Sequence, residues 1–396
     1  MADFSAVDAI SDQAERADAF QAVVADCVGK NDVDRLTALF QHLLSEGEGA
    51  TRRVLESMPQ ALAALAPAPL RAFCEAALEA LEPRRSSYIK LDVHLRELLS
   101  EVLQNEGEFE AAARVLSVAA TSANAGSASF SDQEKTELCV KVAELFLVEE
   151  MSAQAETYVN RASTFVFNAT EPMTILRHKV CKARVLDAKR EFYKAACIFY
   201  QLSQTQNDDI DHDSIAEMLS NACTCVILAG AGERGRHRLM GSIYRDPRAV
   251  ELDHFEVLEN MYRERLLRWE EGGALVRFEA ALAEHQKADV GGGLTVLQRA
   301  VNEHNMLAAS RVYSNVAFAE LGTLLGVDAA SAEDTASKMI KEGRLEATID
   351  QVAGVLAFAA GAEALSAWDE HIKHLCLEVN AVAEAAAKKY PAVAPA

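Results

Sequence analysis

Aromatic residues are scarce: Phe, Trp and Tyr together make 6% of the 396 residues. A β-sandwich is disfavoured on that ground, because strands draw heavily on aromatic and β-branched side chains. No uninterrupted apolar run of ~20 residues is available to span a bilayer. The opening stretch, MADFSAVDAISDQAERADAF, lacks a basic segment followed by an apolar one, so a soluble, intracellular protein is expected. Positive charge is short as well. With 39 Lys+Arg against 60 Asp+Glu, the net charge is −21, which opposes polyanions, and neither nucleic acid nor a membrane is expected as a direct partner. The eight cysteines (27, 74, 139, 181, 197, 223, 225 and 376) never form Cys-x-x-Cys. That excludes a zinc ribbon and argues against a disulfide framework, leaving reduced, mostly buried thiols. Asn168-Ala-Thr170 fits the glycosylation sequon but is expected to stay unmodified.

Catalytic constellations are missing too. The chain has no His-Glu-x-x-His, His-x-His, Gly-x-Ser-x-Gly or P-loop, so the sequence nominates no catalytic residue, no cofactor-binding residue and no metal ligand. His371-x-x-His374 with Cys376 lacks the further ligand that zinc requires. Gly230-Ala-Gly232-Glu-Arg-Gly235 is formally a dinucleotide fingerprint, with Glu251 about 20 residues on. However, Ile215, Leu219, Cys223, Val226 and Gly230 recur at helical spacing, and no alternation of strands and helices follows. A helix stopping at glycines explains the same letters. The run Arg234, Arg236, His237, Arg238 with Arg245 and Arg248 is the densest positive stretch of an acidic chain. It reads as a solvated edge, with an acidic partner as the alternative.

What is present is helical repetition. Half of the chain is apolar, dominated by Ala and Leu, which enter helices at least cost. Phe109, Ala113 and Leu116 recur as Met151, Ala155 and Tyr158 and again as Phe192, Ala196 and Phe199, each set spaced i, i+4, i+7 on one helical face. Each set follows another apolar-periodic stretch. Two helices in roughly 40 residues, with a small Ala where neighbours approach closely, predict a stacked helix-hairpin solenoid. A weaker copy starts at Val33 with Phe40, and further helices are expected at 214–228, 250–267 and 273–282. After Gly291-Gly292-Gly293 the pattern changes. Helices at 294–312, 319–325 and 329–341, then strand-like runs at 345–349 and 355–358, give the order of a winged helix. The second of its helix-turn-helix pair carries Glu333, Asp334 and Glu342 against Lys338 and Lys341, so protein rather than DNA is its expected contact.

The last helix, 363–389, carries Leu365, Trp368, Ile372, Leu375, Val379, Val382 and Ala386 at alternating steps of three and four. Sustained over three heptads, that is a coiled-coil seam which needs a groove in its own solenoid or among helices of other subunits. The expected fold is therefore mostly α: a TPR-like helical-repeat solenoid over 1–290, a winged-helix part over 291–361 and a long C-terminal helix over 362–390. Within the first part, 1–90 forms an N-terminal arm and 200–290 the helical portion that leads into the winged helix. Expected interface residues are Leu345, Ile349, Val355 and Phe358 on the strands and Leu365, Trp368, Ile372, Leu375, Val379 and Val382 on the last helix.

A solenoid capped by a winged helix and a further helix is the layout of PCI-domain subunits. The stretches KVCKARVLDAKREFYKAACIFYQLS (179–203), YVNRAS (158–163), HQKA (285–288), LQRAVNEHNMLAASRVYSNVAFAELGTLLGV (297–327), SKMIKEGRLEATIDQ (337–351) and WDEHIKHLCLEVN (368–380) closely resemble the subunit-4 family of the COP9 signalosome. The likeness covers about 134–380, and residues 1–90 resemble the family less. The resemblance implies a non-catalytic scaffold subunit, in cytoplasm and nucleus, of the assembly that removes Nedd8 from cullins and so regulates cullin-RING ubiquitin ligases. Catalysis would lie in another subunit, which carries the His-x-His motif absent here. The implied partners are other signalosome subunits, through winged-helix strand edges and a bundle of C-terminal helices, and a cullin-RING ligase through the N-terminal arm. A PCI subunit of the proteasome lid or of a translation-initiation complex is the alternative.

Overall fold

The computed structural model describes residues 7, 13–46, 49–62, 64–125, 130–205, 211–232, 235–288, 294–358 and 362–389. The chain divides into two compact units, Met1–Met218 and Leu219–Ala396.

The first unit is a succession of antiparallel helices: α1 (Gln13–Lys30), α2 (Val33–Glu46), α3 (Gly49–Leu62), α4 (Pro67–Leu81), α5 (Ile89–Asn105), α6 (Phe109–Ala125), α7 (Asp132–Val148), α8 (Ser152–Phe165), α9 (Pro172–Ala188) and α10 (Phe192–Ser203). Turns of one kind recur between them. Asn31, Gly107, Glu150 and Arg190 all take left-handed backbone, with φ of 54, 83, 57 and 63°. One residue past each, the chain turns back to bond the end of the preceding helix: Asp32 to Cys27, Glu108 to Leu103, Met151 to Phe146 and Glu191 to Leu186, N to O 2.9 to 3.1 Å. This Schellman closure satisfies carbonyls that a helix end leaves open. Glu150 and Arg190 lack glycine's freedom and hold that conformation at a cost of ~1 kcal/mol each.

The turns set the next helix down with its small face inward. Ala113, Ala155 and Ala196 are all fully buried, so neighbouring helices come close there. Phe146 and Tyr158 stack across the α7–α8 hairpin at 5.9 Å. One continuous apolar core runs from Ala17 to Val185, as expected when each hairpin buries its face only against the next. Charge is also taken inside: Asp92, 1% exposed, is held between Arg85 at 3.2 Å and Arg96 at 2.9 Å.

Helix α11 (His212–Leu228) leads into the second unit, followed by α12 (Arg236–Tyr244), a 3-10 turn (Pro247–Glu251), α13 (Phe255–Tyr262), α14 (Ala274–Ala281) and the short α15 (Glu284–Lys287). The helix expected over 250–267 is thus broken into a 3-10 turn and α13, and residues 265–270 run without helix or strand. The cause lies 38 residues away, where the Asn305 side chain pairs with both backbone groups of Leu267 and offers them an alternative to helical bonding.

The remaining elements are α16 (Val296–Val312), β1 (Asn315–Ala317), α17 (Phe318–Leu325), α18 (Ala329–Lys341), β2 (Ala347–Asp350), β3 (Val355–Phe358) and α19 (Ala362–Lys389). The α17–α18 turn needs glycine: a Cβ on Gly322 would lie 2.7 Å from the Val327 carbonyl oxygen. The three strands form an antiparallel sheet in the order β1-β3-β2, with Val316 and Ile349 both registered on Leu356. Met306, Phe318, Leu321, Met339, Leu345, Leu356 and Phe358 share one core beneath it. This is a mostly helical repeat chain ending in a winged helix and a long helix, the fold class expected from the sequence.

Candidate assembly interface

The sheet order decides which strand has a free edge. β3 is central and bonded on both sides, so its backbone is already used, while β1 and β2 are the outer strands. Of the four interface residues expected on the strands, Leu345 and Phe358 face the winged-helix core at 4% and 6% exposure. Val355 is half-buried on the central strand, and Ile349 is half-buried on β2, paired with Leu356. β2 begins at Ala347, two residues later than the expected run, so Leu345 precedes it. Exposed Thr348 and Asp350 alternate with half-buried Ala347 and Ile349 along β2. Any strand pairing with another chain therefore falls to β2 or β1.

The second helix of the helix-turn-helix pair, α18, offers no positive surplus. Lys338 is paired with Asp334 at 2.7 Å, and Gln351 donates to Glu333 at 2.7 Å. The arginine run upstream does not form a single patch either. Arg236 is buried and donates to the Val226 and Ile227 carbonyls at 3.0 and 3.1 Å, capping the end of α11. Arg248 is held by Asp246 at 2.7 Å, and Arg238 and Arg245 are exposed, whereas Arg234 lies outside the described residues. His237, Tyr262, Tyr244 and Phe255 stack in sequence, with ring separations of 5.0, 4.9 and 5.6 Å.

The glycine-rich segment after α11 has a packing explanation. Gly232 has φ +80°, and a Cβ there would stand 2.8 Å from the Arg344 carbonyl oxygen; the nearest neighbours of a Cβ on Gly230 are the Arg344 guanidinium and the Glu303 carboxylate. Glu303 and Arg344 are thus structural residues that the sequence reading passed over. Neither stands in a motif, and 41 residues separate them.

The last helix is different in kind. α19 is 28 residues long, about 42 Å at ~1.5 Å per residue. Trp368, Ile372, Leu375, Val379 and Val382 are 69, 46, 63, 60 and 69% exposed. The Leu365 backbone lies in the helix, but its side chain is outside the described residues. These large apolar side chains face solvent, as do all the described side chains of α19 over 371–386. On the same helix His371, His374 and Cys376 are exposed, and His374 lies 3.6 Å from Glu378. Among the described residues no three His, Cys, Asp or Glu side chains come together in a group that could hold a metal ion.

Comparison with known proteins agrees with this architecture. The PCI domain profile matches residues 282–359, and the profile described as PSMD12/CSN4, N-terminal matches residues 6–213. The chain belongs to the COP9 signalosome subunit 4 family. It is 35% identical to COP9 signalosome complex subunit 4 of Arabidopsis thaliana over 388 residues, covering 96% of both chains. The counterpart of the same name from Dictyostelium discoideum is 34% identical, covering 97% of this chain and 95% of the other, and that from Drosophila melanogaster is 33% identical, covering 94% and 90%. The N-terminal profile reaches into the stretch 1–90, where the likeness to the subunit-4 family is less legible in the sequence. The PCI match spans the winged helix and all three strands and stops before α19.

Proposed function

We propose that this chain is a non-catalytic scaffold subunit of a COP9 signalosome, the assembly that removes Nedd8 from cullins, and that it joins the assembly chiefly through α19. The observation that carries this reading is the uncovered seam from Trp368 to Val382 on a helix of a subunit-4 family member. Burying side chains of that size is worth ~1.5 to 3 kcal/mol each, so a helix bundle with other subunits is the natural cover. β2 supplies a second contact, by strand pairing with a neighbouring winged helix. Catalysis belongs to another subunit, the N-terminal arm (1–90) reaches toward a cullin-RING ligase, and the subunit works in cytoplasm and nucleus. Affinity purification of the full chain from its source cells, followed by mass spectrometry, tests the assignment. Recovery of signalosome subunits in stoichiometric amounts supports it. Recovery of proteasome-lid or initiation-factor subunits instead overturns it.

A further inference from the structure

The arginine run at α12 leaves two of its members without a carboxylate. The Arg238 guanidinium has no hydrogen-bond or ion-pair partner among the described residues, and Arg245 Nη2 donates only to the neutral Tyr262 hydroxyl, at 3.5 Å. Both side chains are exposed. Other arginines of the same unit are neutralised where they stand: Arg248 by Asp246 at 2.7 Å, Arg277 by Glu256 at 3.1 Å and Arg311 by Glu264 at 3.3 Å. Carboxylates are plentiful in a chain of net charge −21, so two uncompensated cations on one helix are a departure from its own pattern.

The two lie on one face. Seven residues separate them, two turns of helix, which places them ~10.5 Å apart along the axis. The surface beside them is built rather than loose. A Cβ on Gly241 would stand 2.9 Å from the Tyr262 ring, so glycine lets that ring lie against α12, where it stacks on His237 at 5.0 Å and on Tyr244 at 4.9 Å. The pinned Tyr262 then steadies Arg245. A guanidinium held by a phenol keeps its full charge and its other donors, and it has less rotamer freedom left to lose on meeting a carboxylate.

We propose that Arg238 and Arg245 anchor a docking surface for an acidic helix of another protein chain. Charge complementarity selects the chemistry, because the planar guanidinium takes a carboxylate in a two-bonded pair. Spacing selects the form. Carboxylates seven residues apart on a helix repeat the ~10.5 Å separation, whereas side chains on one side of an extended strand fall ~6.6 or ~13 Å apart. Nucleic acid fits less well, since the net charge of −21 repels a polyanion as a whole, while a short helix meets the two arginines within a Debye length. This surface is separate from the strand edges and from α19, and it stands whether or not those join the assembly.

Fluorescence anisotropy with the full chain at low salt tests this with three labelled probes: an alanine-based helical peptide carrying glutamates seven residues apart, the same peptide with glutamines, and a single-stranded oligonucleotide of equal charge. Saturable binding of the glutamate peptide is expected. Glutamines in the peptide, or Arg238→Gln together with Arg245→Gln in the chain, are expected to weaken it about tenfold, the sum of two exposed pairs. Arg238→Gln alone, which takes no contact from the described residues, is expected to weaken it about threefold and to melt with the parent chain. Arg277→Gln, at an arginine already neutralised by Glu256, is expected to leave binding as it is. No binding of the glutamate peptide, equal binding of the glutamine peptide, or an affinity indifferent to Arg238→Gln overturns the proposal. Tighter binding of the oligonucleotide overturns it in favour of a nucleic-acid surface.

Discussion

The carboxylate of Glu303 on α16 and the guanidinium of Arg344 after α18 meet in a two-bonded pair, Oε2 to Nη1 2.6 Å and Oε1 to Nη2 3.1 Å. Each also holds Ala231: its N–H donates to Glu303 Oε2 at 3.1 Å, and its carbonyl accepts from Arg344 Nη1 at 2.8 Å. The pair clamps the glycine-rich segment after α11 against the winged helix. Burial opposes the charge on Arg344, but Glu303 and Glu342 outweigh it and hold the guanidinium pKa above its usual value.

Arg344→Ala therefore takes the two-bonded partner from a nearly buried carboxylate, leaving it the Ala231 N–H and Arg299 at 4.0 Å, a change expected to cost ~3 kcal/mol. Gly232→Ala is expected to destabilise as well, by steric contact with the Arg344 backbone and by its left-handed φ. Urea denaturation of both variants checks this. Unfolding midpoints equal to that of the parent chain would show that the clamp contributes nothing.

The register of the repeats is tested in the first unit. Ala155→Leu overpacks a fully buried helix contact and is expected to cost ~1 to 3 kcal/mol, whereas Gln154→Leu, exposed on the same helix, is expected to change little. Thermal melts that do not separate the two would contradict the hairpin packing described here.

The thiols provide a chemical map of burial. Burial pushes Cys74, Cys181 and Cys223 up to about 12, which denies them the thiolate that reacts. Cys376 on α19 is exposed. In the isolated native chain, Cys376 is expected to label first with a maleimide and these three only on unfolding. Rapid labelling of Cys223 in the native chain would contradict the buried packing of α11.

Acid is expected to loosen the second unit. Burial lowers His304 to about 4, against a smaller opposing effect of the Arg265 carbonyl, and burial also lowers His254. Because the unfolded chain binds the proton more readily, stability is present above the ordinary histidine range and is lost as pH falls from about 6.5 toward 4. For His304 alone this amounts to ~1.4 kcal/mol per pH unit within that window. His304→Gln should flatten the decline of melting temperature across it; an unchanged decline would remove His304 as its source.

Legibility followed the range of the interaction. The periodic Ala and Phe positions of the hairpins and the helix order of the winged helix are local patterns, so the sequence showed them before the structure did. The left-handed turns at Glu150 and Arg190 were hidden, because no glycine marks them. The 265–270 run reads as the end of a helix until Asn305 is seen to take its backbone. β1 is three residues long and reads only as a short apolar stretch. Which strand is central depends on pairing across 38 residues or more between β1 and β3, and that too is invisible in composition. On the candidate interface, the α19 seam was legible as a heptad pattern. The inward position of Leu345 and Phe358 was not, since alternation alone does not say which face is covered.

Assembly through α19 is the central claim, and incorporation of altered chains into the purified complex measures it most directly. A chain ending at residue 360 is expected to stay folded, with circular dichroism losing the signal of one helix, and to be absent from the complex. The full chain with Trp368→Ala and Leu375→Ala together is expected to enter at reduced yield, since each large-to-small change in a packed seam costs ~2 to 5 kcal/mol. If the shortened chain instead enters the complex as fully as the intact one, or if it unfolds while the double variant assembles normally, α19 is not the assembly helix.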